Sequence, residues 1–95
     1  MPVLDHTFKA LGDPTRRRIL ALLGPCDLAA GEIARKFDMA FASVSHHLHV
    51  LREAGLVRSR RDGQYIIYSL NPAAVQEALL HLADLGGHFT QDQSR

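Results

Sequence analysis

Leu4, Phe8 and Leu11 recur at i, i+4 and i+7, the stripe of a short amphipathic helix that Gly12 should end. Asp13-Pro14 then opens a second helix. The aspartate can accept a hydrogen bond from an early helix amide, and proline at the first helical position gives up an N–H that would lack a partner anyway. Ile19, Leu20, Leu22 and Leu23 supply its apolar face, Arg16, Arg17 and Arg18 its polar side, and Gly24-Pro25 its end. A third helix is expected over 30–37, with Ile33 and Phe37 one turn apart and facing inward. After a break at Asp38-Met39-Ala40, a longer helix should run from about 41 to 54. At 100° per residue its Val44, Leu48 and Leu51 fall within about 60° of one another and define a buried stripe. Ala42, His46, His49 and Glu53 lie opposite, with Ser43 and Ser45 on the flanks, and Gly55 follows as a left-handed C-cap.

Two β-rich runs, 56–61 and 64–70, flank Asp62-Gly63, a strong hairpin signal in which both turn positions should take positive φ. Asn71-Pro72 repeats the cap-and-proline device and starts a last helix to about residue 85, striped by Val75, Leu79 and Leu82. Gly86-Gly87 should stop it, leaving 91–95 as a polar tail. The expected order is α-α-α-α-β-β-α, mainly α with a β-hairpin.

At 95 residues the chain has room for one core, so a single domain over 1–88 with a polar tail at 89–95 is expected. Hydrophobic residues at 46% and charged residues at 22% describe an ordinary globular chain rather than a disordered one. Its apolar runs fall far short of the ~18 residues of a membrane span, and its first residues lack the basic and apolar regions of a secretory signal. Cys26 is the single cysteine, which excludes an intramolecular disulfide framework or a cysteine-built zinc finger and makes the cytoplasm the default location. The net charge of +1 is uninformative, but its distribution is not. Residues 30–61 hold six basic against three acidic side chains, and residues 62–95 one against four, an asymmetry suited to one face meeting a polyanion.

A short helix, a tight turn and a longer helix form a helix-turn-helix, whose second helix lays its outward face in the DNA major groove. Here that face carries Ala42, Ser43, Ser45, His46 and His49; His47, at the edge of the buried stripe, is a further DNA-binding candidate or else bonds a neighbouring backbone group. Such side chains approach base edges closely, exchange hydrogen bonds and touch thymine methyls. Arg58, Arg60 and Arg61 before the hairpin tip and Gln64 after it suit phosphates or a minor groove. Arg16, Arg17 and Arg18 either reach phosphates or simply keep the second helix hydrated, and Phe41 either plugs the turn against Phe37 or contacts DNA. Tyr65 and Tyr68 are expected to serve hairpin and dimer packing rather than as stacking platforms. An enzyme is disfavoured, because Ser43, Ser45, His46 and His47 share one convex helix without a phosphate loop or paired carboxylates.

Four ordered segments carry a family resemblance: Phe8-Lys9-Ala10-Leu11-Gly12-Asp13-Pro14-Thr15-Arg16-Arg17-Arg18-Ile19-Leu20, Gly31-Glu32-Ile33-Ala34, Ser43-Val44-Ser45-His46-His47-Leu48, and Leu51-Arg52-Glu53-Ala54-Gly55-Leu56-Val57. The chain resembles the ArsR/SmtB family of winged helix-turn-helix repressors, in wording nearest the autorepressor-like branch without a metal site. The resemblance implies a repressor of its own or neighbouring genes that binds an inverted-repeat operator in double-stranded DNA. It also implies a homodimer joined through the first and last helices, where Leu4, Phe8, Leu11, Val75, Leu79 and Leu82 need cover. Metal-sensing members carry Cys-x-Cys at positions that are Ala29 and Gly31 here, and ligands on the last helix at positions that are Pro72, Ala74, Leu85 and His88. No metal or other cofactor is therefore expected, although His6, His81 and His88 could converge across a dimer. The rival readings are a redox- or metal-responsive repressor, with Cys26 as the redox candidate, and a winged-helix protein-interaction module. Ala40 replaces the hydroxyl-bearing helix cap common in relatives.

Overall fold

The computed structural model describes the backbone of residues 2–93 and the side chains of residues 5–84. The elements are α1 (Pro2–Leu11), α2 (Pro14–Leu23), β1 (Leu28–Ala29), α3 (Ala30–Ala34), α4 (Phe41–Glu53), β2 (Val57–Asp62), β3 (Tyr65–Leu70) and α5 (Pro72–Gln93). Asp13 caps α2 from an extended conformation, its carboxylate accepting from the Arg16 amide at 3.1 Å. Ile19, Leu23, Ile33, Val44, Leu48, Leu51, Leu56 and Val57 are each 2% exposed or less and form one core shared by α2, α3, α4 and the start of the hairpin. At about 1.5–3 kcal/mol per fully buried aliphatic side chain, this cluster anchors α4 by one face and frees the other.

α4 ends as the sequence predicts. Gly55 takes φ 77°, and two bonds, Gly55 N–H to Arg52 O at 2.9 Å and Leu56 N–H to Leu51 O at 3.1 Å, complete a Schellman motif. α3 is shorter than the expected 30–37. Its α-helical part stops at Ala34, and i→i−3 bonds from Lys36 and Phe37 tighten the chain into the turn. The Glu32 carboxylate accepts from the Ala29 amide at 2.9 Å, the reverse half of a capping box, while Ala29 has no hydroxyl to supply the other half.

The hairpin differs from expectation in register and in partners. Asp62 pairs with Tyr65, so the two loop residues are Gly63-Gln64 rather than Asp62-Gly63. Among the described residues only Gly63 of this turn has positive φ, 63°, because a turn with glycine at its first loop position needs no second one. β1 joins β3 antiparallel, Leu28 opposite Tyr68, giving a three-stranded sheet in the order β1-β3-β2. The wing is thereby hydrogen-bonded to the segment that leads directly into α3.

Two further expectations are corrected. Asn71 does not turn its side chain onto α5: its Oδ1 accepts from Arg58 at 3.2 Å and its amide donates to Gly55 O at 2.9 Å, tying the wing's exit to the end of α4. α5 runs through Gly86-Gly87 and past residue 88 to Gln93. Glycine lowers helix propensity by about 1 kcal/mol but keeps its N–H, so unlike proline it does not force a stop. The side chains of Leu4, Leu85 and His88 lie outside the described residues.

Gly55→Ala should lower the unfolding free energy by about 1–2 kcal/mol, since its φ is costly for any residue with a Cβ even though the space is open. Gly31→Ala, in a helical conformation where the new Cβ would meet nothing nearer than 3.9 Å, should instead raise it by about 0.5–1 kcal/mol. Urea denaturation of the two variants checks the opposite signs.

Candidate nucleic-acid interface

Ala42, Ser43, Ser45 and His46 stand exposed on the N-terminal half of α4, directly opposite the buried Val44–Leu48–Leu51 stripe or on its flanks. No charged side chain lies between Asp38 and His46, so this half of the helix presents small polar or apolar groups together with the exposed Phe41 ring and the His46 imidazole. Ala40 occupies the N-cap in the usual extended conformation but has no oxygen to give; its own carbonyl receives the Ser43 and Val44 amides at 3.0 and 3.2 Å. His49 is exposed farther along the same face of α4. With Val50, Glu53 and Ala54 it faces His6 and Lys9 of α1 across an open cleft of about 290 Å³, and its Nε2 lies 3.7 Å from Glu53.

His47 is half-buried, and its partner is a side chain rather than the backbone expected. Its Nδ1 lies 3.1 Å from Arg16 Nη1. A guanidinium only donates, so Nδ1 accepts and the ring proton is assigned to Nε2. The same guanidinium donates from Nε to Ala10 O at 2.7 Å and from Nη2 to Lys9 O at 2.9 Å. Arg17 reaches Leu11 O at 2.6 Å, and Arg18 lies over the Phe37 ring, 4.7 Å from its centroid. The arginine triplet therefore holds helices together: two members satisfy the orphan carbonyls at the end of α1, and the third covers the turn before α4. Beside them, the Asp13 carboxyl is held below its ordinary range, first by the Arg16 amide hydrogen bond, which outweighs the opposing effect of burial; the neighbouring His47 and Arg16 side chains and the Thr15 amide add smaller pulls in the same direction.

On the wing, Arg58 is bonded to Asn71, Arg60 pairs with Asp27 at 3.1 Å, and Arg61 makes a weak 3.4 Å contact to Gly63 O. Gln64 is exposed at the tip. Arg52, from α4, reaches Ser59 Oγ at 3.1 Å and couples helix to wing. The Arg60–Asp27 pair is exposed at both ends and worth little in water, so it leaves the guanidinium available to a stronger anion. Sequence reading missed Arg16, Arg52 and Asp27 as positioning groups; Arg16 and Asp27 act on partners 31 and 33 residues away, and Arg52 acts across the junction of α4 and β2, which no local pattern marks.

Phe41 is 57% exposed and Phe37 is buried, so Phe41 does not plug the turn. Tyr68, on β3, packs against the core, and Tyr65 stands exposed. Phe8, Leu11 and Val75 are half-buried, while Leu79 and Leu82 are 60% and 44% exposed. Phe8, Leu11, Leu79 and Leu82 line an open apolar groove between α1 and α5. Among the described residues, no three His, Cys, Asp or Glu side chains are grouped to hold a metal ion; His6 is exposed on α1, His81 half-buried on α5, and Cys26 exposed in a loop.

A helix-turn-helix domain family matches residues 11–60, the span from the end of α1 into the wing. The transcriptional repressor SdpR of Bacillus subtilis is 45% identical over 80% of this chain and 84% of its own length. The nodulation protein NolR of Rhizobium meliloti is 38% identical over 87% of the chain and 68% of its own length. The solved structure of an ArsR family transcriptional regulator, RHA00566, superposes with a TM-score of 0.82 at 30% identity, covering 93% of this chain and 97% of that one. This chain belongs to the ArsR/SmtB family. It is a winged helix-turn-helix DNA-binding transcriptional regulator of the repressor type, not an enzyme.

If Arg16 positions α4 through His47, Arg16→Ala should cost about 2–3 kcal/mol of stability, and His47→Ala in the Arg16→Ala background should cost markedly less than alone. A double-mutant cycle by chemical denaturation gives the coupling, and additive losses would remove the link.

Proposed function

We propose that the protein acts as a homodimer in the cytoplasm, repressing its own or neighbouring genes by binding an inverted-repeat operator. The observation that carries the reading is the free N-terminal half of α4 beside a basic wing. Ala42, Ser43, Ser45 and His46 are the base-reading side chains. Arg60, Arg61 and Gln64 contact the backbone, and Arg58 does so less, because it is engaged by Asn71. His47 serves by holding α4 rather than by touching bases, and His49 lies toward α1. The α1–α5 groove supports pairing with a second copy: a chain of this size covers Leu79 and Leu82 poorly alone, and Phe8 and Leu11 line the same groove, whereas Val75 packs against the core of its own chain.

Some relatives are named for metal resistance, among them the cadmium resistance regulatory protein CadC of Listeria innocua and the arsenic resistance regulator ArsR1 of Pseudomonas putida. This chain has Ala29 and Gly31 where metal-sensing members carry cysteines, and Cys26 is its one thiol. The proposed repressor is accordingly not released by a thiolate-bound metal.

Two outcomes are expected. Ser45→Ala or His46→Ala should cost about 1–3 kcal/mol on a duplex selected from a random pool and relax base choice within its half-site, with half-sites about 10 bp apart or a multiple. Arg60→Ala or Arg61→Ala should weaken selected and random duplexes alike and reduce the slope of log affinity against log salt by about one unit. A salt series on both duplexes separates the roles; selectivity lost with the arginines instead would make the wing the reader.

Assembly is tested separately. Sedimentation should find a dimer at micromolar concentration and a monomer or unfolded chain for Leu79→Asp, because a carboxylate in an apolar interface goes uncompensated. A stable, folded monomer of the unaltered protein would end the dimer reading.

A further inference from the structure

We propose that Phe41 is a specificity residue that reads a thymine methyl group in the major groove. The inference rests on the proposed reading role of α4. Phe41 is the first residue of α4 and is 57% exposed, although Val44, three positions on, is fully buried. At 100° per residue Phe41, Ser45 and Arg52 fall within about 40° of one another, so they share one flank of the helix. Arg52 identifies that flank, since its guanidinium reaches Ser59 on β2. Phe41 therefore stands one turn before Ser45 on the wing side of the helix.

The surroundings decide what such a ring can recognise. Met39, Ala40, Phe41 and Ala42 are all exposed and carry no side-chain hydrogen-bonding group better than a thioether. The tip of α4 can discriminate bases only through apolar contact. In the major groove the one apolar group on any base edge is the C5-methyl of thymine. Residues at the start of a recognition helix are those that reach base edges. An exposed phenyl ring there gains by covering a methyl what it loses by standing in water.

The test begins with duplexes selected by the unaltered protein from a random pool. Each thymine is then replaced, one at a time, by deoxyuridine, which removes only the methyl. At one thymine per half-site the replacement should weaken binding about four-fold, the worth of one buried methylene. Phe41→Ala should bind thymine and deoxyuridine versions equally at that site, while Phe41→Leu should keep part of the preference. Phe41→Gln, of similar reach but polar, should also lose it, which guards against a folding defect peculiar to the alanine variant. Indifference of the unaltered protein to every deoxyuridine, or a methyl preference that survives Phe41→Ala and Phe41→Gln, would overturn the assignment. Selection of no sequence at all would instead overturn the reading role of α4 itself, so the two failures are distinguishable.

Discussion

The guanidinium of Arg16 lies where three helices meet, and the position of the exposed face of α4 depends on it. Arg16 starts from α2, takes two carbonyls at the end of α1 and donates to His47 on α4. Each bond is charge-assisted, and together they use the fork in a geometry a lysine could not reproduce. Because Asp13 caps the same helix turn through the Arg16 amide, the backbone that carries the guanidinium is itself fixed. His46, whose ring is 6.0 Å from that of His47, inherits this order at one remove.

The wing is held by a comparable economy of groups. β1 is two residues long, yet its pairing with β3 attaches the hairpin to the start of α3. Arg52 to Ser59 and Asn71 to Gly55 fasten it to the flank and the end of α4. These bonds fix the position of the wing relative to α4, which matters for a protein that must present both to one duplex. The basic side chains toward the tip are held by weaker ties: Arg60 by an exposed carboxylate, Arg61 by one long bond to a carbonyl. A phosphate can replace either partner at small cost.

Much of this architecture was legible in the sequence because its punctuation is local. Asp13-Pro14 and Gly55 act through their own backbone, and the Val44–Leu48–Leu51 stripe declares its buried face by spacing alone. β1 was not legible, since two residues have no period and exist as a strand only through β3. The hairpin register slipped by one because Asp-Gly is a favoured turn pair, whereas one glycine at the first loop position is sufficient. Gly86-Gly87 resembles a stop in the sequence, but glycine weakens a helix without blocking it. For the interface, the outward positions of α4 followed from helical geometry, but the Arg16–His47 bond joins residues 31 apart and has no signature in either neighbourhood. In the proposed reading its consequence is that Arg16 and His47 serve as scaffold rather than as DNA contacts.

That reassignment sharpens what the reading face can be. With His47 turned to Arg16 and His49 turned toward α1, the hydrogen-bonding side chains left on the N-terminal half of α4 are Ser43, Ser45 and His46. Two serines and one imidazole make short, close contacts, so the helix must enter the groove deeply for them to act. Small neighbours at Ala40 and Ala42 permit that approach, and a lysine or glutamate in either place would hold the helix away. In the proposed dimer the depth and spacing of two such helices would be set from α1, because the carbonyls that Arg16 grips lie at the end of the helix whose Phe8 and Leu11 line the groove with α5. A face with so few polar groups relies on exact placement more than on contact number, which is the physical reason a single guanidinium can matter so much to it.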